Sequence, residues 1–210
     1  MEDKKYNVYC LDFDGTITKK DTFFTFLIYS IGYKRFFFYL FTMFFDFVKL
    51  FFHKVQVQTV KEKLFSKCFK GESITNFDKK CKEFAENFNT LLRPNAIEFL
   101  NGLNEKETVL IVSASIQNYI SCFLKDFKIE ATVPEVDFEG NLTGKFIGKN
   151  CKGKEKVERI LKHFPDRKNY NLIAFGDSSG DKQMFNIADE KHWKPFRDSK
   201  KSRKLLDLYL

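Results

Sequence analysis

The sequence predicts an α/β fold, doubly wound around a mostly parallel sheet, with a helical insert and a small β-hairpin. Three short apolar runs carry this prediction, at Val8–Leu11, Thr108–Ser115 and Asn171–Asp177. Nearly continuous apolar residues are typical of strands that are buried on both faces of a parallel sheet. Helical patterns separate the three runs, and strands that alternate with helices indicate a doubly wound core.

The helices beside these runs are predicted from amphipathic patterns and their boundary residues. One helix is predicted over Asn95–Leu103, where Pro94 suits a helix start. Two more are predicted over Gln117–Phe127 and Lys154–His163, the latter with apolar residues on one stripe. Together with the strands, these helices complete the alternation of a doubly wound core.

Residues 22–92 carry no strand pattern and are predicted to form a helical cap, whereas residues 1–21 and 93–210 are predicted to form the core. Within the insert, helices are predicted over Thr59–Phe69 and over Ile74–Leu91, where apolar residues recur at steps of three and four. A hairpin is predicted over Thr132–Gly148, because β-favouring arms flank Glu139-Gly140-Asn141.

Charge and cysteine usage limit the partners and the compartment. The formal net charge of +8, from 36 basic and 28 acidic side chains, favours anionic partners. The five cysteines are widely spaced, which indicates a reducing compartment and argues against a disulfide framework or a zinc site. The first ten residues lack the features of a signal peptide. We therefore expect a cytoplasmic protein, with a peripheral position on the inner membrane face as the alternative.

Acidic and hydroxyl side chains mark the end of each apolar run. Asp12 and Asp14 follow the first run, Ser113 lies in the second, and Asp177 and Asp181 follow the third. Ligands bind at the carboxyl ends of the strands in open α/β sheets, so these groups are expected to converge. Four carboxylates at one edge require a cation, and hard oxygen ligands suit Mg²⁺.

This set of residues is suited to phosphoryl transfer. Asp12 can attack phosphorus once Mg²⁺ masks the repulsion between two anions. Asp14, on the same side of an extended segment, can protonate the leaving oxygen and later activate water. Ser113 and Lys156 would hold the remaining phosphoryl oxygens. Lys152 and Lys154 compete with Lys156 for this role, although the E-K-V pattern favours Lys156.

Four motifs in this order resemble the haloacid dehalogenase (HAD) superfamily of phosphohydrolases: "DFDGT", "IVSAS", "CKGKEKV" and "FGDSSGD". The resemblance implies a HAD-type Rossmannoid sheet, an Asp12 nucleophile and an Asp14 acid/base. It implies that Mg²⁺ is held by Asp12, the Asp14 backbone carbonyl and Asp177, and Asp181 is expected to ligate the ion or to orient its waters. The substrate contacts are expected from Thr16, Ser113, Ala114 and Lys156.

The helical insert after the first motif is similar to the cap of subfamily IB, which includes phosphoserine phosphatase. Within that branch, "DGTITKKDTF", the aromatic cap, the C-x-G-x-E-K-V pattern and His192-Trp193 look most like phosphatidylglycerophosphatase C-type members. Phosphoserine phosphatases usually have Ser in place of Gly15 and Glu in place of Asp21. Both departures argue against phosphoserine as the substrate.

The insert is unusually aromatic, since twelve of the 27 phenylalanines lie between Phe23 and Phe52. Its longest charge-free run, Thr22–Tyr33, would span about 18 Å as a helix, against a hydrocarbon core of ~30 Å. A single spanning helix is therefore not expected. The alternatives are a fully packed cap or dimer contact, and a helix or helix pair that dips into the membrane interface through residues 23–52.

The sequence therefore predicts a Mg²⁺-dependent phosphomonoester hydrolase that works through an aspartyl-phosphate. The preferred substrate is a lipid or amphiphilic phosphate such as phosphatidylglycerophosphate. The alternatives are a soluble phosphatase for small metabolites and a non-catalytic basic binding module. Nucleic acid is not an expected partner, and the basic segment Lys191–Lys204 is expected to be a solvated tail. The oligomeric state does not follow from the sequence.

Overall fold

A six-stranded sheet forms the centre of the computed structural model, which describes residues 5–53, 56–103 and 108–209. The strand order is β4-β3-β2-β1-β5-β6. The six strands are β1 Tyr6–Leu11, β2 Val109–Ile116, β3 Lys128–Val136, β4 Leu142–Ile147, β5 Tyr170–Gly176 and β6 Glu190–Trp193. Only the β3–β4 pair is antiparallel among the described strands. The predicted α/β fold with a mostly parallel sheet is confirmed.

The register of β1 and β5 brings the carboxyl ends of these two strands together. Leu11 at the end of β1 lies beside Ile111 of β2 and Phe175 of β5. The segments that leave β1 and β5 therefore start side by side, and the backbone N–H of Asp12 donates to the carbonyl of Phe175 over 2.9 Å.

The two faces of the sheet are covered by different sets of helices. Side chains alternate along β1, so Val8 and Cys10 face one core while Tyr9 and Leu11 face the other. The first core is closed by α8 (Lys154–His163) and α9 (Lys182–Ile187). The opposite core is larger and includes the remaining helices.

Those remaining helices lie in the insert and around it. The insert contains α1 Thr22–Ile31, α2 Tyr33–Thr42, α3 Phe44–Phe51, α4 Val57–Phe69 and α5 Ile74–Asn87. The others are α6 Pro94–Gly102, α7 Gln117–Phe123 and α10 Ser199–Tyr209. Buried rings of the insert, among them Phe26 and Phe84, pack on Tyr119 of α7, so the insert and the sheet share one apolar core. The division into a core and a cap at residues 22 and 92 stays a prediction.

Three predicted elements differ from the structure. The helix expected over Ile74–Leu91 ends at Asn87, because the chain leaves the helical conformation at Phe88, and a short 3-10 turn follows over Asn89–Leu91. The helix expected over Gln117–Phe127 ends at Phe123, because the chain leaves the helical conformation at Leu124 and then pairs with β2 from Lys128 onward. The hairpin predicted over Thr132–Gly148 is present as β3 and β4, but β3 also extends the main sheet through its parallel pairing with β2.

The basic segment Lys191–Lys204 is not the solvated tail that was predicted. It begins in β6, which pairs with β5, and continues into α10. Phe196, Ser202 and Leu205 are buried, so the apolar side of this segment packs on the sheet and on α6. Charged residues at the other positions masked this pattern in the sequence.

The first three helices of the insert expose aromatic side chains. Met43 separates helix α2 from helix α3 and is itself buried. Eight rings of this region are 59–79% exposed: Tyr33, Phe37, Phe38, Phe41, Phe44, Phe45, Phe51 and Phe52. We call these eight side chains the aromatic face. A cap in which all these rings pack on the same chain, one of the alternatives above, is therefore wrong.

Among the described residues, none of the helices has the length and the apolar content that a membrane crossing requires. The interpretation of the first ten residues falls in part on residues 1–4, which lie outside the described residues, and it stays a prediction.

Candidate active site

Asp12 lies where β1 ends and the chain turns sharply. Residues Phe13–Ile17 form one wide turn, in which Gly15 adopts a positive φ of 73°. This turn leaves Asp12 only 7% exposed at the floor of a pocket of about 340 Å³. The pocket is also lined by Asp14, Ser113 and Asp177, so the carboxyl ends of three strands do converge there.

Three carboxylates meet in this pocket. Asp12, Asp177 and Asp181 each place one oxygen within 4.8 Å of the others. Oxygen ligands at this spacing suit a hard divalent cation such as Mg²⁺. The donor set therefore fits the ion that the sequence predicts, and Asp12 and Asp177 are more exposed than the fully buried Asp181.

Lys156 lies between two of these carboxylates. Its Nζ donates to Oδ1 of Asp12 and to Oδ1 of Asp181, both over 2.6 Å, and the side chain is 2% exposed. Burial lowers the pKa of Lys156, but the two carboxylates outweigh burial and raise it above its ordinary value. Of the two competing lysines, Lys152 lines the pocket and Lys154 is exposed and does not line it.

Asp181 is the most enclosed of the acidic groups. Its Oδ2 accepts hydrogen bonds from the backbone N–H groups of Asp177 and Ser178 and from the Ser178 hydroxyl, over 3.0–3.1 Å. Burial raises its pKa, but Lys156 and these donors outweigh burial and lower it. Asp181 therefore holds both Lys156 and the loop that carries Asp177.

Asp14 is held in place by hydroxyl groups. Its Oδ1 accepts from the backbone N–H of Thr22 over 2.8 Å and from the Thr22 hydroxyl over 2.6 Å, and its Oδ2 accepts from the Ser115 hydroxyl. Burial raises the pKa of Asp14 to about 6, although these donors oppose the rise. A carboxyl group with such a pKa can both release and accept a proton near neutral pH.

We expect the substitution Thr22→Val to move the pH profile of the reaction. A hydrogen bond to a charged group contributes about 1.5–3 kcal/mol, and about 1.36 kcal/mol corresponds to one pKa unit. Loss of the hydroxyl donor should therefore raise the pKa of Asp14 by about one to two units. If Asp14 protonates the leaving group, the alkaline limb of kcat moves to higher pH by the same amount.

The matched control is Thr25→Val on the same helix, because the Thr25 hydroxyl bonds to the Asp21 carbonyl and not to Asp14. The measurement is kcat against pH for both variants. An alkaline limb that stays in place for Thr22→Val would contradict the assignment of Asp14 as the acid.

Burial also acts on Asp12, the candidate nucleophile. It raises the pKa of this carboxyl to about 7, more than the nearby Lys156 lowers it. The attacking form is the ionised one, and a nearby cation favours that form. Positive charge from Lys156 and from a metal ion would therefore favour the ionised form of Asp12 that the attack requires.

The predicted substrate contacts differ in their position. Ser113 is buried and lines the pocket, and its Oγ accepts from the backbone N–H of Ser115 over 3.1 Å. Ala114 also lines the pocket. The Thr16 side chain is buried outside the pocket lining, and its hydroxyl has no hydrogen-bond partner within the described part of the chain.

Gly15 allows Asp177 to approach the turn after β1. A Cβ atom on Gly15 would lie 2.3 Å from Oδ2 of Asp177, and the positive φ also disfavours other residues. Arg197 donates to the same Oδ2 over 2.6 Å and to the Gly15 carbonyl over 3.3 Å. Gly15 thus keeps the metal candidate Asp177 close to Asp12.

Comparison with known protein families shows to which family the chain belongs. Residues 10–186 match the family of haloacid dehalogenase-like hydrolases, and this span includes all five aspartates that line the pocket. The chain belongs to this family. The prediction of an enzyme, a hydrolase of the HAD superfamily, is therefore confirmed.

Several known proteins are similar to this HAD hydrolase. Protein CicA of Caulobacter vibrioides is 33% identical over 198 residues, which cover 89% of this chain and 85% of CicA. A Bordetella pertussis Tohama I protein of unknown function has a TM-score of 0.69 at 14% identity, and the match covers 90% of this chain and 89% of that one. A phosphoserine phosphatase from T. onnurineus has a TM-score of 0.55 at 21% identity, with 91% and 84% covered. The shared fold thus extends over most of the chain.

Four side chains at this HAD site were missed by the sequence interpretation. Thr22 and Ser115 hold Asp14, Arg197 contacts Asp177, and Lys61 donates from α4 to the Ala114 carbonyl. The spacing of Ser115 from Ser113 was a signal, since alternate residues of a strand share one side. The others come from the insert or the last segment, where no motif marks them.

Proposed function

We propose that this HAD hydrolase is a Mg²⁺-dependent phosphatase that cleaves phosphomonoesters through a phosphoryl group bound to Asp12. The observation that carries the proposal is the position of Asp12, which contacts Lys156 and has an oxygen within 4.8 Å of oxygens of Asp177 and Asp181. A carboxylate in this position has a cationic neighbour to stabilise the transferred group and an adjacent acid, Asp14, to protonate the alcohol that leaves.

The proposed reaction has two steps, and Asp14 acts as the acid in the first and as the base in the second. Asp12 attacks phosphorus, the P–O bond to the alcohol breaks, and Asp14 gives its proton to the alkoxide. Asp14 then accepts a proton from the water that attacks the phosphoryl group on Asp12, which releases phosphate and restores the carboxylate. Ser113, the Ala114 backbone and Lys156 would hold the phosphoryl oxygens.

Magnesium would be held by Asp12, the Asp14 backbone carbonyl and Asp177. Asp181 supports these ligands by its contacts with the Asp177 loop and Lys156. When bound, the ion supplies positive charge that lowers the repulsion between substrate and nucleophile.

Phosphate release from a panel of phosphomonoesters tests this proposal. The panel includes phosphoserine, other small metabolites and phosphatidylglycerophosphate, each with metal-free enzyme and again after addition of Mg²⁺. We expect the wild-type enzyme to release phosphate only with Mg²⁺. The variant Asp177→Asn should lose this activity. The variant Asp207→Asn, which changes an exposed side chain on α10, should keep it. If the wild-type enzyme with Mg²⁺ hydrolyses none of these esters, the proposed activity is wrong.

We further propose that the substrate is a lipid or amphiphilic phosphate and that the protein contacts a membrane surface through residues 23–52. The aromatic face gathers eight exposed rings on α2, α3 and their flanks. Lys34, Arg35 and Lys49 are exposed beside these rings, and the acidic Asp46 is paired with Lys63 over 2.6 Å. Exposed rings with nearby cations favour an anionic lipid interface.

Vesicle flotation tests the membrane contact. The wild-type protein should float with vesicles that contain phosphatidylglycerol, whereas the double variant Phe41→Ser/Phe45→Ser should not. Burial of a Phe side chain contributes about 1.5–3 kcal/mol. The partition coefficient of the double variant between vesicles and water should therefore be at least about a hundredfold lower than that of the wild-type protein. Phe138→Ser is the matched control, because this ring is 97% exposed on the β3–β4 hairpin.

Equal flotation of the wild-type protein and the double variant would contradict the membrane contact. A stable wild-type dimer that the double variant loses, without any flotation, would instead assign the aromatic face to a second copy of the chain. Good turnover of small metabolites without turnover of lipid phosphates would favour the soluble phosphatase.

A further inference from the structure

A second cavity adjoins the pocket that contains the carboxylates. Its volume is about 220 Å³, and most of its lining comes from α1, α3 and α4. Asp14, Asp21, Ala114 and Lys152 line both cavities. The two cavities therefore meet beside Asp14, the proposed acid of the reaction.

The walls of the second cavity are mainly hydrocarbon. They include seven large apolar side chains: Phe23, Phe24, Phe47, Leu50, Val57, Val60 and Leu64. The side chains of Val60 and Leu64 are otherwise buried, so the cavity reaches the edge of the apolar core. Water gains few hydrogen bonds against such walls, whereas a hydrocarbon group removes apolar surface from water on entering.

Helix α3 connects the cavity with the aromatic face. Phe47 and Leu50, three residues apart, line the cavity. Phe44, Phe45 and Phe51 on the same helix belong to the exposed aromatic face. A molecule that enters beside α3 would therefore pass from an apolar surface into an apolar cavity.

Lys61 marks the border between the apolar cavity and the polar pocket. Its Nζ donates to the Ala114 carbonyl and lies 4.4 Å from the centre of the Phe23 ring. Burial lowers its pKa to about 8. The polar lining residues of the cavity are Asp14, Asp21, Lys61, Ser115, Asn150 and Lys152, and its other lining residues are apolar.

The geometry points to a subsite: we propose that this cavity binds the hydrocarbon part of a phosphomonoester whose phosphate lies among Asp12, Ser113 and Lys156. The inference rests on the proposed phosphatase function and names the part of the protein that selects an amphiphilic substrate. The shared lining residues indicate this occupant, because one substrate molecule can place its phosphate in the pocket of the carboxylates and its hydrocarbon part between α1, α3 and α4.

The experiment measures kcat/KM for a series of n-alkyl phosphates from ethyl to decyl, each below the concentration at which it forms micelles. Burial of one methylene contributes about 0.8 kcal/mol, so kcat/KM should rise about fourfold per methylene until the cavity is full. The volume of the cavity corresponds to about seven waters of liquid volume, so the rise should end within this series.

Val57→Trp is the variant that narrows the cavity. Val57 lines it from the start of α4 and is 53% exposed, so the larger ring leaves the core unchanged. Val136→Trp is the matched control, because Val136 is 37% exposed on β3 and does not line the cavity. The chain-length dependence should be reduced in Val57→Trp and kept in Val136→Trp. Leu50→Gln, which makes the wall polar, should reduce it as well.

The outcomes separate this inference from the proposed function. If the wild-type enzyme with Mg²⁺ hydrolyses neither the alkyl phosphates nor any ester of the phosphomonoester panel, the phosphatase function fails. If it hydrolyses esters of the panel but no alkyl phosphate, the subsite is wrong. If it hydrolyses ethyl phosphate but kcat/KM does not rise with chain length, the phosphatase stands and the subsite is wrong. A wild-type chain-length dependence in both Val57→Trp and Leu50→Gln would also overturn the subsite.

Discussion

Substitution of Asp12 by Asn should lower kcat for phosphomonoesters by roughly four orders of magnitude or more, the scale seen when a nucleophile is removed. An amide cannot form the acyl-phosphate that the carboxylate forms. The Asn side chain has nearly the same shape and can still accept a hydrogen bond from Lys156, so the fold should be kept. The measurement is steady-state phosphate release with saturating Mg²⁺.

The control for this variant is Asp207→Asn, which removes one negative charge from an exposed position on α10. It should keep the wild-type rate. Circular dichroism of both variants shows whether the fold is kept. Unchanged phosphatase activity in Asp12→Asn would exclude Asp12 as the nucleophile, and an inactive wild-type protein would favour a non-catalytic binding module.

Substitution of Lys156 by Met should destabilise the folded protein strongly. The ammonium group is buried between Asp12 and Asp181, and removal of one partner leaves uncompensated buried charge. Such a loss costs about 3–5 kcal/mol, and for a chain of this size 1 kcal/mol shifts Tm by about 2–4 °C. Thermal unfolding of the metal-free protein near pH 8 should therefore show Tm lower by roughly 6–20 °C.

Lys154→Met is the matched control, because Lys154 is exposed on the first turn of the same helix. It should change Tm by little. The double variant Asp12→Asn/Lys156→Met should recover part of the lost stability, because one of the two uncompensated carboxylates is then neutral. If Lys154→Met and Lys156→Met lower Tm equally, the buried ion pairs do not have the stabilising role assigned to them.

The sheet and the position of the carboxylates followed from the sequence because both depend on local patterns. Strands buried on both faces must be apolar throughout, so β1, β2 and β5 are visible as runs. Parallel strands end at one edge, which predicts that Asp12 and Asp177 are neighbours. The outer strand β6 is short and polar, so no apolar run in the sequence predicted it.

The insert was harder to predict because long-range contacts shape it. The break between α2 and α3 occurs at a buried Met43, within an apolar run that shows no Gly or Pro. The contacts of Thr22 with Asp14 and of Lys61 with Ala114 join residues that are 8 and 53 positions apart. A single sequence contains no periodic signal for such pairs, and the cavity beside Asp14 depends on them.

Acid quench of the enzyme during turnover, followed by peptide mass spectrometry, tests most directly whether Asp12 captures phosphorus. With Mg²⁺ and substrate present, we expect a phosphoryl group on the peptide that contains Asp12, absent without Mg²⁺ and absent in Asp12→Asn. A phosphoryl group on another residue, or active turnover in which no peptide is phosphorylated at any quench time, would contradict the proposed chemistry.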